Sequence, residues 1–161
     1  MTQTEQFPSK DRLQHARSNS VVAPRALRLL HVDDCKDDRI VLQAACKRAR
    51  VHVDWHVADS ADKAIEYLRG LIGADRTEEV CWPDLVLLDL SLGEQGGFEV
   101  LKYVRANPLL RGLPVVMFTG QEDPALKEEA FQLGANSVVI KPVLFDQMVE
   151  LAGDLFKKWA A

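Results

Sequence analysis

Cysteine is scarce. Cys35, Cys46 and Cys81 are the only three in 161 residues. An odd count with no C-x-x-C spacing supports neither a disulfide framework nor a zinc site. No apolar run approaches the roughly 18 residues of a membrane span. The opening Met1-Thr2-Gln3-Thr4-Glu5-Gln6 lacks the apolar centre of a signal peptide. Nor is there an excess of basic charge. Lys and Arg number 20 against 24 acidic residues, for a net charge of −4 and a pI near 5.6. That is a poor footprint for a nucleic-acid binder. These absences point to the reducing cytoplasm, with no membrane and no nucleic acid as partner.

What is present is an ordinary globular composition, 47% apolar and 27% charged. The length suits about one domain. Residues 1–25 are polar, carry Pro8 and Pro24, and show no sustained apolar period, so they are expected to form a flexible N-terminal tail. The domain proper is expected over residues 26–161.

From residue 26 strand and helix signals alternate. Leu27 to Val32 is a short apolar run that stops at Asp33-Asp34. Asp37 to Arg50 predicts a helix with Ile40, Val41, Ala44 and Ala45 on its buried face. Val51 to Val57 alternates with period two, as in a strand with one less buried face. Ser60 is a candidate N-cap for a helix with Ala61, Ala64, Ile65 and Leu68 inward, ended by Gly70 and Gly73. Leu85 to Leu88, between two aspartates, predicts a strand covered on both faces. A glycine-rich loop with Gly93, Gly96 and Gly97 leads to a helix with Phe98, Leu101 and Val104 inward. Pro114 to Gly120 predicts a fourth strand. Asp123 and Pro124 start a helix to Leu133, with Gly134 past its end. Ser137 to Pro142 predicts the last strand. Phe145, Met148, Val149, Ala152, Phe156 and Trp159 mark a final amphipathic helix. Its last turn is also a candidate homodimer seam.

Five strands alternating with five helices require an α/β fold with a parallel, doubly wound sheet. Ligands of such sheets bind at the carboxyl ends of the strands. Asp33-Asp34, Asp89, Thr119 and Lys141 stand there, each at the exit of its own strand. Three carboxylates crowded together repel, and a divalent cation removes the conflict. All-oxygen ligands suit Mg²⁺ completed by phosphate oxygens. Lys141 supplies a charge for one phosphate oxygen and Thr119 a hydroxyl for another. One carboxylate in that company can act as a nucleophile and form an acyl phosphate. His15, His31, His52 and His56 show no metal-ligand spacing and are taken as structural or exposed.

Four strings, Val32-Asp33-Asp34, Leu87-Leu88-Asp89-Leu90-Ser91-Leu92, Val116 to Gly120 and Ile140-Lys141-Pro142, resemble a response-regulator receiver domain of two-component signalling. The resemblance covers about residues 26–160. It implies the flavodoxin-like strand order 2-1-3-4-5. It also implies Asp89 as phosphoacceptor, Asp34 as direct metal ligand with Asp33 beside it, and the Ser91 carbonyl as a further ligand. Thr119 and Lys141 match the switch residues, and Mg²⁺, with Mn²⁺ as an alternative, matches the cofactor. Tyr67 to Gly70, the long link to Pro83, Gly134 to Ser137 and Lys141 to Asp146 further resemble single-domain regulators associated with bacterial phytochromes.

The expected function is therefore a stand-alone switch and not an enzyme. A sensor histidine kinase, of phytochrome type by the narrower likeness, phosphorylates Asp89, and a downstream protein reads the face formed by the fourth helix, fifth strand and fifth helix. Two positions depart from the family pattern. Gly93 and Gly96-Gly97 replace proline and Asp-Gly, so a looser loop is expected. Val138 stands where the family carries an aromatic that swings inward. That valine supports a first alternative, a phosphorylation-independent interaction module on the same fold. An enzyme or flavin carrier is a second. Against it, Ser91 stands where a phosphatase needs an acid, and the acidic string Asp33 to Asp38 would repel a flavin phosphate.

Overall fold

In the computed structural model, the described residues are 25–74, 80–93 and 96–160. The tail expected over 1–25 lies outside them except for Arg25, whose guanidinium pairs with Asp84 at 2.7 Å. The elements are β1 (Leu27–Val32), α1 (Lys36–Arg48), β2 (Val53–Ala58), α2 (Ala61–Gly73), β3 (Leu85–Leu88), α3 (Gly96–Ala106), β4 (Val115–Thr119), α4 (Pro124–Gln132), β5 (Ser137–Ile140) and α5 (Phe145–Trp159). Every strand pairing is parallel and the order is β2-β1-β3-β4-β5. Among the described residues no helix is long and apolar enough to cross a membrane.

Strand alternation divides the core in two. Leu30, Val32, Val86, Leu88, Val115 and Met117 face α2, α3 and α4. Leu27, Leu29, Leu85, Leu87, Val116 and Phe118 face α1 and α5. Burial on both faces explains the unbroken apolar runs of β3 and, up to Thr119, β4, and the mostly apolar β1. The edge strand β2 keeps the expected alternation up to His56, with Val53 and Trp55 half-buried and Asp54 and His56 exposed, but Val57, expected on the buried face, is exposed. His56 stacks on Tyr67 with ring centroids 3.6 Å apart.

Local chemistry sets the helix ends. Ser60 Oγ accepts from the Lys63 amide, and Asp123 Oδ1 accepts from the Ala125 amide ahead of Pro124. Gly134, at φ +97°, follows α4 where a left-handed residue is needed.

Several expectations need correction. The buried face of α1 is Leu42, Ala45 and Cys46, whereas Ile40 is 52% and Val41 39% exposed. Six of the seven residues from Ile40 to Cys46 are apolar, so periodicity alone does not select a stripe. Packing against Met148, Ala152, Leu155 and Phe156 of α5 selects it. Gly70 does not end α2, which runs on to Gly73. Phe145 lies at the exposed start of α5, and Leu155 joins the buried face instead. Phe156 is fully buried with its ring edge-on to Trp55.

Candidate functional site

Strand register fixes which residues meet. Val32 pairs with Leu88, Leu88 with Met117, and Thr119 with Ile140. The next residues therefore emerge side by side at one end of the sheet. The Asp89 amide donates to Val32 O at 2.9 Å, and the Lys141 amide donates to Thr119 O at 2.7 Å.

The Lys141 ammonium lies at the centre. Its Nζ donates to Asp33 Oδ2 at 2.7 Å, Asp38 Oδ2 at 2.8 Å and Asp89 Oδ2 at 2.8 Å. Three N–H donors meet three carboxylates, so the ammonium is saturated. It also lies 5.6 Å from the centroid of Phe118. Asp33 is held inward by a turn in which its Oδ1 accepts from the Cys35 amide at 2.8 Å. The Ser91 amide donates to Asp89 Oδ1 at 3.1 Å, which fixes the other oxygen of that carboxylate.

Burial drives the Asp89 pKa above the ordinary aspartate value, and the Asp33 charge adds to the rise; hydrogen bonds from Lys141 and the Ser91 amide oppose it without cancelling it. For Lys141, burial pulls downward, but the bonds to Asp33, Asp38 and Asp89 prevail and hold its pKa above that of a free lysine. His31, buried beneath Asp33 with Nε2 at 3.8 Å from Oδ2, is pushed down to about 3 by burial and by the charges of Lys141 and Arg39, so it is neutral.

The three carboxylates present ligand oxygens all within 4.8 Å of one another. Two such charges at that spacing repel by about 3–4 kcal/mol at an effective dielectric of roughly 20. Against them stands one ammonium. Arg39 adds a guanidinium at the Asp33 carbonyl, and the group still presents more carboxylate oxygens than these cations engage, which suits a divalent cation. The donors are hard oxygens, and the ammonium marks the point where a cation is favoured. The residues present thus fit Mg²⁺ or Mn²⁺.

The expected site residues fare differently. Asp33, Asp89 and Lys141 come together. Thr119 is buried at the neighbouring strand end, its Oγ1 accepting from the Gln121 amide at 3.1 Å. Ser91 is exposed, and its Oγ accepts from Gln121 Nε2 at 2.8 Å. Asp34 is exposed and lies outside the group of three carboxylates. Asp38, from the first turn of α1, takes the third place, and strand-end reasoning missed it. The available signal was its position five residues after Asp33, where a helix leaving the strand folds back over the strand end.

The loop after Asp89, where looseness is expected, is tied at its described ends. The Gly97 amide donates to Leu90 O at 2.8 Å and the Gly96 amide to Leu92 O at 3.1 Å. Gly97 packs directly on the Asp89 carbonyl, leaving no room for a side chain. Residues 94 and 95 of that loop lie outside the described residues.

Comparison with known proteins agrees with this geometry. The family model for the response regulator receiver domain matches residues 29–152. The two-component response regulator ORR1 of Oryza sativa subsp. japonica is 32% identical over 118 residues, 72% of this chain and 49% of that protein. The chain thus spans about half the length of that relative. The bacteriophytochrome response regulator AtBRR is similar in structure, with a TM-score of 0.65 and 32% identity over 86% of this chain and 98% of that one. The Mn²⁺-bound response regulator Rcp1 shares the fold, with a TM-score of 0.70 and 24% identity over 83% of this chain and 94% of its own. With four site residues on four adjacent elements and a family match over most of its length, the chain belongs to the response regulator receiver domains of two-component signalling.

Proposed function

We propose that the chain is a stand-alone response regulator that accepts a phosphoryl group from a histidine kinase on Asp89 and thereby changes its protein contacts. The observation that carries this is the Lys141 ammonium, 2.8 Å from Asp89 Oδ2 and 2.7 Å from Asp33 Oδ2 at the carboxyl ends of adjacent strands. Asp89 is the nucleophile. Burial raises its basicity, and the Ser91 amide orients it. Its oxygen forms a bond to phosphorus as the bond from phosphorus to the kinase imidazole breaks. The imidazole, already protonated on its other ring nitrogen, leaves as the neutral base. Lys141 holds one phosphoryl oxygen and the Thr119 hydroxyl another. Asp33 and Asp89 would hold the divalent cation, with Asp34 and the Ser91 carbonyl as further oxygens by family resemblance. When bound, that cation neutralises charge on the phosphoryl group in transfer. The Mn²⁺-bound form of Rcp1 supports Mn²⁺ as an alternative to Mg²⁺.

The kinase is of phytochrome type in this reading, supported by the likeness to AtBRR. Output is contact with a downstream protein in the cytoplasm, not catalysis. The contact face is α4, β5 and α5. Val138, half-buried in β5, has no ring to swing, and a groove of about 460 Å³ opens between it, Thr119, Leu126 and Ile140. Helix α4 buries only Ala130 along its length, so it is the element free to move.

Phosphotransfer from the histidine kinases of the same genome tests the reading. A mass gain of one phosphoryl group, dependent on Mg²⁺ and absent in Asp89→Asn, is expected. An adduct that survives Asp89→Asn removes Asp89 from the role. Val138 favours a second reading, a phosphorylation-independent interaction module. Under that reading, beryllofluoride with Mg²⁺ leaves the amide resonances of residues 119–127 and 141–146 unmoved.

A further inference from the structure

Asp38 has no part in the chemistry described above beyond its place in the carboxylate group, yet its position differs from that of its two companions. Asp33 is 0% and Asp89 9% exposed in the side chain, whereas Asp38 is 45% exposed. Asp33 and Asp89 rise from neighbouring strands of the sheet; Asp38 comes from α1 and meets Lys141 across 103 residues of sequence. All three bond the same ammonium hydrogens.

A lysine ammonium and a divalent cation cannot share one place, because like charges repel and each needs the same oxygens. Lys141 must therefore yield its position between Asp33 and Asp89 without losing a counter-charge, since an unpaired ammonium at 11% exposure is costly. Only one of its three partners lies toward the rim. We propose that Asp38 is a positioning residue that receives the Lys141 ammonium when a divalent cation takes its place, so that Asp38 sets cation affinity through Lys141 and not as a ligand. The inference rests on the reading of Asp89 as a phosphoacceptor beside such a cation.

The sign follows. Without the Asp38 charge, Lys141 falls back on Asp33 and Asp89 and competes with the cation. Asp38→Asn therefore weakens Mg²⁺ binding. Asp38→Glu, which keeps the charge on a longer stem, recovers much of it. If Asp38 acts through Lys141, the loss disappears once the ammonium is gone. A ligand role would leave the loss intact.

The experiment is a double-mutant cycle read by calorimetric titration with Mg²⁺ alone, on the full chain, with no phosphoryl donor. Asp38→Asn is expected to raise the Mg²⁺ dissociation constant about tenfold in the Lys141 background and only about twofold in a Lys141→Gln background, a coupling typical of neighbouring charges. An equal loss in both backgrounds, or none in either, overturns the proposal. Lys141→Gln leaves buried carboxylates unpaired and is at risk of not folding, so a second measurement uses Asp38 variants only. The ¹⁵Nζ resonance of Lys141 at saturating Mg²⁺ is expected to stay hydrogen-bonded and slowly exchanging in the wild type and in Asp38→Glu, and to lose protection in Asp38→Asn. Unchanged protection in Asp38→Asn refutes it. Failure of the phosphoacceptor reading would look different: the unmutated chain would form no adduct at Asp89, whatever the cycle returned.

Discussion

Gly97 joins the fold to the site more directly than any other position. It lies in the first turn of α3, buried, and a Cβ there would stand 2.1 Å from the Asp89 carbonyl oxygen, 2.9 Å from its carbonyl carbon and 3.1 Å from Leu90 Cα. All three atoms are backbone, so no side chain can turn aside. The helix or the strand end must move by about 1 Å to restore an ordinary contact, which places Gly97→Ala at the upper end of overpacking costs, about 3 kcal/mol. For a domain of this size that lowers Tm on the order of 10 °C. The same displacement carries the Asp89 carboxylate away from Lys141, so adduct yield with a small acyl phosphate and Mg²⁺ falls even at temperatures where the variant stays folded. Two controls separate crowding from glycine loss as such. Gly93 has φ +57° and no atom near its missing Cβ, so Gly93→Ala costs only the left-handed strain of about 1–2 kcal/mol and keeps phosphorylation. Gly70 lies inside α2 with open space around it, so Gly70→Ala stabilises by about 0.5–1 kcal/mol. Urea unfolding of the three variants is the assay. A Gly97→Ala chain within about 0.5 kcal/mol of the parent, phosphorylated at the parental rate, would refute the close approach.

Other perturbations test other parts of the structure. Lys141→Met leaves three carboxylates without their ammonium and is expected to destabilise the metal-free chain by about 3–5 kcal/mol, with added Mg²⁺ restoring more stability than it gives the parent in thermal melts. Arg105 donates to the carbonyls of Gly134 at 2.8 Å, Leu113 at 2.8 Å and Arg111 at 3.2 Å and to Asn136 Oδ1 at 2.8 Å, so Arg105→Lys, which cannot reproduce the fork, costs about 2 kcal/mol in urea unfolding and leaves Asp89 phosphorylation unchanged. Burial pushes the Cys46 thiol up to about 12, so the thiol form dominates well below that pH. Iodoacetamide between about pH 7 and 10 is expected to modify the exposed Cys35 and Cys81 and to spare Cys46 until denaturant is added, as read by peptide mass mapping.

The sequence made the strand-end residues legible for a definite reason. In a parallel sheet every crossover returns the chain to the same pole, so Asp33, Asp89, Thr119 and Lys141 needed only the alternation of elements to be brought together. What lay beyond that rule was harder to read. The run Asp33-Asp34-Cys35-Lys36-Asp37-Asp38 offers four carboxylates, and nothing in spacing says which turn inward. The structure decides by local chemistry. The Asp33 side chain takes the Cys35 amide and points in, Asp34 is left outside, and the first turn of α1 swings Asp38 back over the strand end. The face of α1 was illegible for a related cause, since an almost unbroken apolar run carries no phase. Gly97 was legible as a glycine but not as a contact, because the atom it approaches belongs to backbone eight residues away.

The charge ledger of the cluster also says where a signal must travel. In the unmodified chain all three Lys141 hydrogens are engaged by carboxylates. Conversion of Asp89 to an acyl phosphate moves negative charge outward, from the carboxylate to the phosphoryl oxygens, and Lys141 must follow it. Its backbone is tied to Thr119 O at 2.7 Å, so the displacement is shared with β4 on one side. On the other side the chain runs at once into Val143, Leu144 and Phe145, exposed by 97%, 61% and 44%. Three large exposed apolar groups in succession form a step, and the moving lysine holds its base. Val138, packed against the Leu88 side of the core, lies off this route. Amide shift changes on beryllofluoride binding are therefore expected to concentrate at residues 119–127 and 141–146 and to be small at Val138. A response centred on Val138, with Val143 and Leu144 silent, would mean that the signal leaves the site through β5 itself and not through the loop that follows it.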